Sequence, residues 1–353
     1  MSFARAVQAS NSIEGYDASL DDVVAAVEGE PTVGADNETE EALTGYRDAM
    51  TYVLQIADDE HMGVDEGLLK GLHFMMLKHN LDKNPGRWRP GPIFVRREAT
   101  GEIMYEGPPA EEVPGLIAEM LAQLTGEGDQ HVLVKAAMAH LNLVMIHPFS
   151  DGNGRMARCL QTLILARDQI VAPVFSSIEE FLGRNTQTYY DVLGEVGKGS
   201  WNPGNNTRPW VQFCLRAHFL QASTLLRRRE EVEALWLACL QLAELRELPE
   251  RCTAALMDAS YGFRLRRKSY RNSVAAAWGE GISEITASRD LKAMVEARVL
   301  EAHGERRNRF YLAAPEVREL REDIRAARPP REERDPFNVV RSDRQLTLTE
   351  ADD

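Results

Sequence analysis

The residues HPFSDGNGRMAR, His147 to Arg158, interrupt a chain that is otherwise patterned for helix. Apolar side chains recur at three- and four-residue spacing through DDVVAAVEGE, EALTGYRDAMTYVLQIADDE, VDEGLLKGLHFMMLKH and the stretches on both sides of the interruption. That spacing predicts helices. A Pro-Phe turn and then Gly152-Asn153-Gly154 cannot continue the preceding helix, and a new one is expected from Gly154 to Gln169. The chain must therefore stop a helix at His147, turn tightly and start again. Such a helix start offers free backbone N–H groups and the positive end of a dipole, which suits an anion. Arg155 and Arg158, three apart, reach one side of that site. Asp151 adds a hard oxygen ligand of the kind Mg2+ takes beside phosphate oxygens. His147 is a base that titrates near neutral pH. Together these residues describe phosphoryl or nucleotidyl transfer.

The same stretch resembles, without gaps, the signature HPFx(D/E)GNGRxxR of the Fic family, whose members commonly transfer AMP from ATP to a protein hydroxyl. The resemblance covers roughly residues 1 to 225, including the hairpin before the signature and NTQTYYDVL after it. It implies a mainly α fold, a Fic-type helical bundle with a β-hairpin flap. It also implies an Mg2+- and ATP-dependent protein adenylyltransferase, a nucleotidyltransferase acting on Ser, Thr or Tyr. His147 then resembles the base that takes the hydroxyl proton, and Asp151 the residue that holds Mg2+. Gly152, Asn153 and Gly154 match the anion hole, Arg155 the charge supporting the triphosphate, and Arg158 the arginine on the γ-phosphate. The hairpin from Ile93 to Tyr105 resembles a flap that aligns an extended target segment by strand addition. Of Tyr189 and Tyr190, Tyr190 is expected to face adenine, with ordinary packing as its other reading.

Near the N-terminus, QASNSIEGY places Ser10 and Glu14 four apart on one helical face, followed by Gly15 as a helix-ending residue. The spacing resembles the Fic inhibitory motif, Ser or Thr, three residues, Glu, then Gly or Asn. Its implication is autoinhibition: Glu14 pairs with Arg158 and takes the charge meant for ATP. Related enzymes also use such a glutamate to remove AMP, so an enzyme mainly removing AMP is one alternative.

Beyond Pro249, the segment from Asn272 to Leu312 suggests a helix, helix, hairpin unit that resembles a winged helix-turn-helix. Thr286 is expected to cap its second helix, which runs to about Glu296. Arg306, Arg307 and Arg309 fall near the hairpin tip. Residues 251–314 hold 12 Lys and Arg against 7 Asp and Glu, while the whole chain carries −14. That total argues against a nucleic-acid-coating protein but leaves room for one local basic face. DNA through this unit is therefore one partner expected, besides a target protein, the chain itself by auto-AMPylation, and a second copy in a homodimer. The other alternative is a DNA-binding regulator whose Fic core senses nucleotide.

The expected division is 1–30 as an N-terminal region with the inhibitory helix, 31–225 as the catalytic core and 226–250 as a linking helix. The winged-helix domain follows at 251–326 and a mobile tail at 327–353, and a long helix pair is expected from Val211 to about Leu248. No apolar run reaches membrane-spanning length, and the N-terminus lacks an apolar signal core, so a cytoplasmic protein away from membranes is expected. The four cysteines lack CxxC spacing and read as reduced core thiols. His73, His79, His131 and His140 lie on helical stretches and need no chemistry.

Overall fold

The apolar spacing becomes helix at the positions it marks, with ends displaced by a few residues. A computed structural model of the chain describes residues 2–97, 100–126, 129–168, 177–305, 308–328 and 336–337. In chain order its helices begin with α1 (Ser2–Ser12), α2 (Leu20–Glu28), α3 (Asn37–Ile56), α4 (Glu66–Leu77) and α5 (Val113–Thr125). Next come α6 (Val132–Ile146), α7 (Asn153–Arg167), α8 (Glu179–Arg184), α9 (Thr186–Gly197) and α10 (Arg208–Leu245). The last are α11 (Cys252–Ser260), α12 (Arg267–Trp278), α13 (Glu284–Glu296) and α14 (Pro315–Ala326). Strands β1 (Phe94–Arg96) and β2 (Ile103–Glu106) form one antiparallel hairpin, β3 (Leu300–His303) and β4 (Phe310–Ala313) another. No described helix is long and apolar enough to cross a membrane.

The chain falls into two compact units, one joining residues 1–17 to 37–222, the other joining 18–36 to 223–330. In the first, α7 is buried from Arg155 to Ala166, so it is the centre of the unit and not an amphipathic surface helix. Helix α3 crosses α4 at Gly45, where a Cβ would stand 2.6 Å from the Met76 carbonyl oxygen. Helix α1 lies as closely against α8, because a Cβ on Gly183 would be 2.8 Å from that of Ala9. Buried Trp210 donates its indole N–H to the Ala137 carbonyl at 2.7 Å and fixes the start of α10 against α6.

One expectation is corrected in α10, which is a single helix of 38 residues where a helix pair was expected. Past Pro209 it contains no proline or glycine, so nothing stops it. All four cysteines are buried and unpaired.

In the second unit, α11, α12, α13, the β3–β4 hairpin and α14 close over Leu256, Tyr270, Leu291, Met294, Val299 and Leu300. Leu265 bridges to Tyr311 and extends the hairpin by one position. The cap of α13 is Ser283, whose hydroxyl accepts the Thr286 N–H at 3.1 Å; Thr286 is therefore inside the helix it was expected to cap. Arg306 and Arg307 lie outside the described residues, as does nearly all of the tail, while Arg309 is exposed.

Candidate functional site

Helix α6 ends at Ile146, and His147 caps it in the left-handed region with φ 52° and ψ 57°. That conformation is uncommon for a residue with a Cβ and persists only where the surroundings hold it. The Nδ1 of His147 lies 3.0 Å from the Val144 carbonyl. A carbonyl only accepts, so Nδ1 carries the proton and Nε2 keeps its lone pair. Burial lowers the pKa of His147 despite that bond and the carboxylates of Glu14 and Asp151, with the Arg89 charge acting in the same direction as burial. The residue as a whole is half-buried, and Nε2 is the ring nitrogen left without a proton.

The loop after His147 is held at several points. Asn153 receives the Phe149 N–H and returns its own amide N–H to the Phe149 carbonyl, both at 2.9 Å. Its side chain is therefore committed to the loop. Gly152 takes φ 73°, and a Cβ there would stand 3.0 Å from Leu77 Cδ1. His73 accepts the Gly86 N–H at Nδ1 (2.8 Å) and donates Nε2–H to the Asp151 carbonyl (3.0 Å). It also stacks on Phe149 at 3.7 Å. This histidine has a positioning role the sequence did not reveal, since a helical histidine among apolar neighbours reads as core.

Both arginines of the loop sit at the start of α7 and are 1% exposed. Arg155 has no hydrogen-bond partner among the described residues for Nε and NH1; its nearest carboxylate oxygen, on Asp151, is 3.9 Å away. Its guanidinium lies over the Tyr16 ring at 5.2 Å. Arg158 is engaged by the N-terminus: Nε donates to Ser10 Oγ (2.7 Å), NH2 to the Ser10 carbonyl (2.9 Å) and to Glu14 Oε1 (2.7 Å). Ser10, Glu14 and Arg158 are thus brought together across more than 140 residues.

Glu14 reaches the site from a turn, not from the helix face expected. Helix α1 ends at Ser12, Glu14 and Gly15 bond back to Asn11 and Ser12, and Gly15 takes φ 87°. This three-residue tightening is how a helix end satisfies its last carbonyls. A Cβ on Gly154 would stand 2.5 Å from Glu14 Oε1, so the carboxylate rests against the first turn of α7. An acidic group thus sits at the N-terminal end of α7, where the helix dipole favours negative charge.

Asp151 accepts the Gly152 N–H at 2.6 Å through Oδ1, while Oδ2 is 3.5 Å from Lys83 Nζ. No group of three or more metal-binding side chains occurs among the described residues. A single half-exposed carboxylate suits Mg2+ bound mostly through phosphate oxygens, not a cage built by protein. The two tyrosines separate: Tyr189 is buried with its hydroxyl 3.0 Å from His140 Nε2, and Tyr190 is 46% exposed, donating to the Ile13 carbonyl at 3.2 Å. In the hairpin, Phe94 faces Glu106 and Val95 faces Tyr105, and Phe94, Val95, Ile103 and Met104 are exposed.

Residues 63–165, which include the whole loop, match the Fic/DOC family. The protein adenylyltransferase Fic of Nematostella vectensis is 28% identical over 219 residues, 59% of this chain and 45% of that protein. The protein of the same name from Culex quinquefasciatus is 28% identical over 211 residues, 58% of this chain and 38% of that one. The chain thus spans less than half the length of these two relatives. The fold is similar to the crystal structure of a Fic family protein from Desulfovibrio desulfuricans G20, with a TM-score of 0.55 at 23% identity over 89% of this chain and 86% of that one.

Proposed function

We propose that this chain, a member of the Fic family, transfers AMP from ATP to a Ser, Thr or Tyr hydroxyl of a protein and is held inactive by its own N-terminal turn. The observation that carries the reading is the placement of Glu14, bonded to Arg158 at 2.7 Å and resting where Gly154 opens the nest. A triphosphate has two assets there: the unpartnered N–H groups of Arg155 and the positive end of α7. Glu14 occupies the charge of Arg158 that the γ-phosphate needs.

With Glu14 withdrawn, the hydroxyl oxygen attacks the α-phosphorus while His147 Nε2 accepts its proton. The bond from the α-phosphorus to the bridging oxygen breaks, and pyrophosphate leaves with that electron pair. Charge growing on the non-bridging oxygens meets donors already fixed in place. Mg2+ held at Asp151 would neutralise phosphate charge. The base contributes about 10²–10⁴-fold, the usual range for positioned proton transfer.

Intact-mass spectrometry of Glu14→Gly after incubation with Mg2+ and ATP should find an AMP adduct. The double variant with His147→Ala should show none, and wild type should show little. Equal labelling of wild type and Glu14→Gly would remove the inhibitory role, and a labelled His147→Ala would remove the base. If Glu14 mainly drives AMP removal, labelled protein loses its AMP to wild type and keeps it with Glu14→Gly.

The DNA-regulator reading draws less support from the second unit. Segment 18–36 carries five acidic residues and no Lys or Arg, which cancels the excess of five cations counted over 251–314. Its acids pair with the cations directly: Asp21 with Arg264 at 3.3 Å, and Glu30 with Lys268 at 2.7 Å and Arg266 at 3.4 Å.

A further inference from the structure

Arg89 belongs to no motif, sits between Trp88 and Pro90, and is 3% exposed. Among the described residues its hydrogen bonds all run to backbone carbonyls. Nε donates to His147 at 2.8 Å, NH1 to Gly91 at 2.6 Å and NH2 to Pro108 at 2.5 Å, while its own N–H donates to Pro148 at 2.9 Å. Gly91 lies just before β1 and Pro108 just after β2, so one side chain clamps both ends of the hairpin to the loop.

We propose that Arg89 is a positioning residue that locks the His147 base to both ends of the flap, so that a target strand on the flap and the imidazole meeting its hydroxyl are held as one body. The inference rests on the AMP-transfer reading above.

Three observations converge on it. A buried cation is costly, and among the described residues the groups that hydrogen-bond the Arg89 side chain in place of water are carbonyls. If shape alone were needed, an apolar side chain of similar volume would fill the space as well. The planar fork of guanidinium reaches several acceptors at fixed angles, which an ammonium does not. Second, the carbonyl that Arg89 holds belongs to His147, the residue whose φ of 52° needs holding. Third, the flap is tied to the same place from its other side: Tyr105 in β2 donates to the Met145 carbonyl at 2.7 Å, two residues before the base. The stem is tight as well, since a Cβ on Gly107 would stand 2.6 Å from Ile93 Cγ2 and 3.4 Å from Arg89 NH2.

The placement has an electrical consequence. The charged groups acting on His147 are Arg89, which disfavours the imidazolium, and Glu14 and Asp151, which favour it. Withdrawal of Glu14 removes one of the two charges that favour the imidazolium, so burial and Arg89 lower the pKa against less opposition.

The experiment uses the full chain in the Glu14→Gly background, with Arg89→Met and Arg89→Lys. It measures three things: AMP self-labelling at saturating ATP, ATP affinity by calorimetry, and His147 titration by NMR of its ring carbons. The expected results are labelling roughly tenfold to a hundredfold slower for both variants, from misplacement of the base, and ATP affinity within about twofold of the parent. The His147 pKa should move up in Arg89→Met and stay in Arg89→Lys. Parental labelling by Arg89→Met overturns the proposal, and so does a parallel loss of ATP affinity, which would mean general loosening. Should Arg89→Met not fold, Arg89→Lys decides: labelling at the parental rate overturns the clamp. A Glu14→Gly parent that forms no adduct sinks the AMP-transfer reading instead, while the NMR titration still reports on Arg89.

Discussion

Arg155 and Arg158 are 1% exposed and keep N–H groups that meet no partner among the described residues, whereas Arg264, Arg266 and Lys268 lie nearer the surface, paired with acids of their own unit. A buried donor left unmade costs about 1–3 kcal/mol. The first unit bears that cost at three nitrogens within four residues, which makes sense where a ligand supplies the missing acceptors. In the second unit Thr253, His303 and Arg328 also keep buried atoms unpartnered among the described residues, but Arg264, Arg266 and Lys268 do not. Its exposed pairs are worth about 0–1 kcal/mol each and describe a solvated face. What sets Arg155 and Arg158 apart is that both are buried, partly unsatisfied and placed together at the start of α7.

The strongest way to break that contrast is Arg158→Ala in the Glu14→Gly background. ATP affinity measured by calorimetry should fall by roughly a hundredfold, the loss typical of a buried charge-assisted contact. An affinity unchanged by the substitution would place the phosphate elsewhere.

A smaller effect separates the units by pH. Burial lowers His140 to about 3 and His73 and His218 to about 4 in the first unit. Below pH 6.5 the unfolded chain takes up protons that these folded histidines refuse, so stability falls as pH falls, by about 1.4 kcal/mol per pH unit for each. Glu179, raised to about 7 by burial, runs the other way and offsets one of them. The net loss between pH 6.5 and 5 is about 3 kcal/mol. In the second unit burial raises Asp258 to about 6, which favours the folded form as pH falls. Hydrogen exchange corrected for its intrinsic pH dependence should therefore show the first unit loosening before the second at pH 5; the reverse order would contradict the assignment. The smallest effect expected is that of Lys268→Ala, which should leave the melting temperature of the second unit unchanged. A lower melting temperature would mean the pair with Glu30 is structural after all.

The sequence made the loop and the meeting of Ser10 and Glu14 with Arg158 legible, because each rests on a local pattern of residue type and spacing. Helix positions were legible for the same reason. What stayed hidden depends on contacts between distant segments. Arg89 reaches the His147 carbonyl across 58 positions, and nothing in GRWRPG signals a clamp for carbonyls. Segment 18–36 joins the second unit through pairs such as Arg264 with Asp21, separated by 243 positions, so the boundary expected at residue 30 had no local mark. Tyr16 over Arg155 was missed because an aromatic after a glycine turn reads as ordinary packing.

The central claim is that the Glu14 carboxylate sits in the seat of a phosphate. Titration of ATP into wild type and Glu14→Gly, followed by calorimetry with Mg2+ present, tests it most directly. The account predicts that Glu14→Gly binds ATP at least about tenfold more tightly, the worth of one charge-assisted pair. Equal affinity in the two proteins would contradict it.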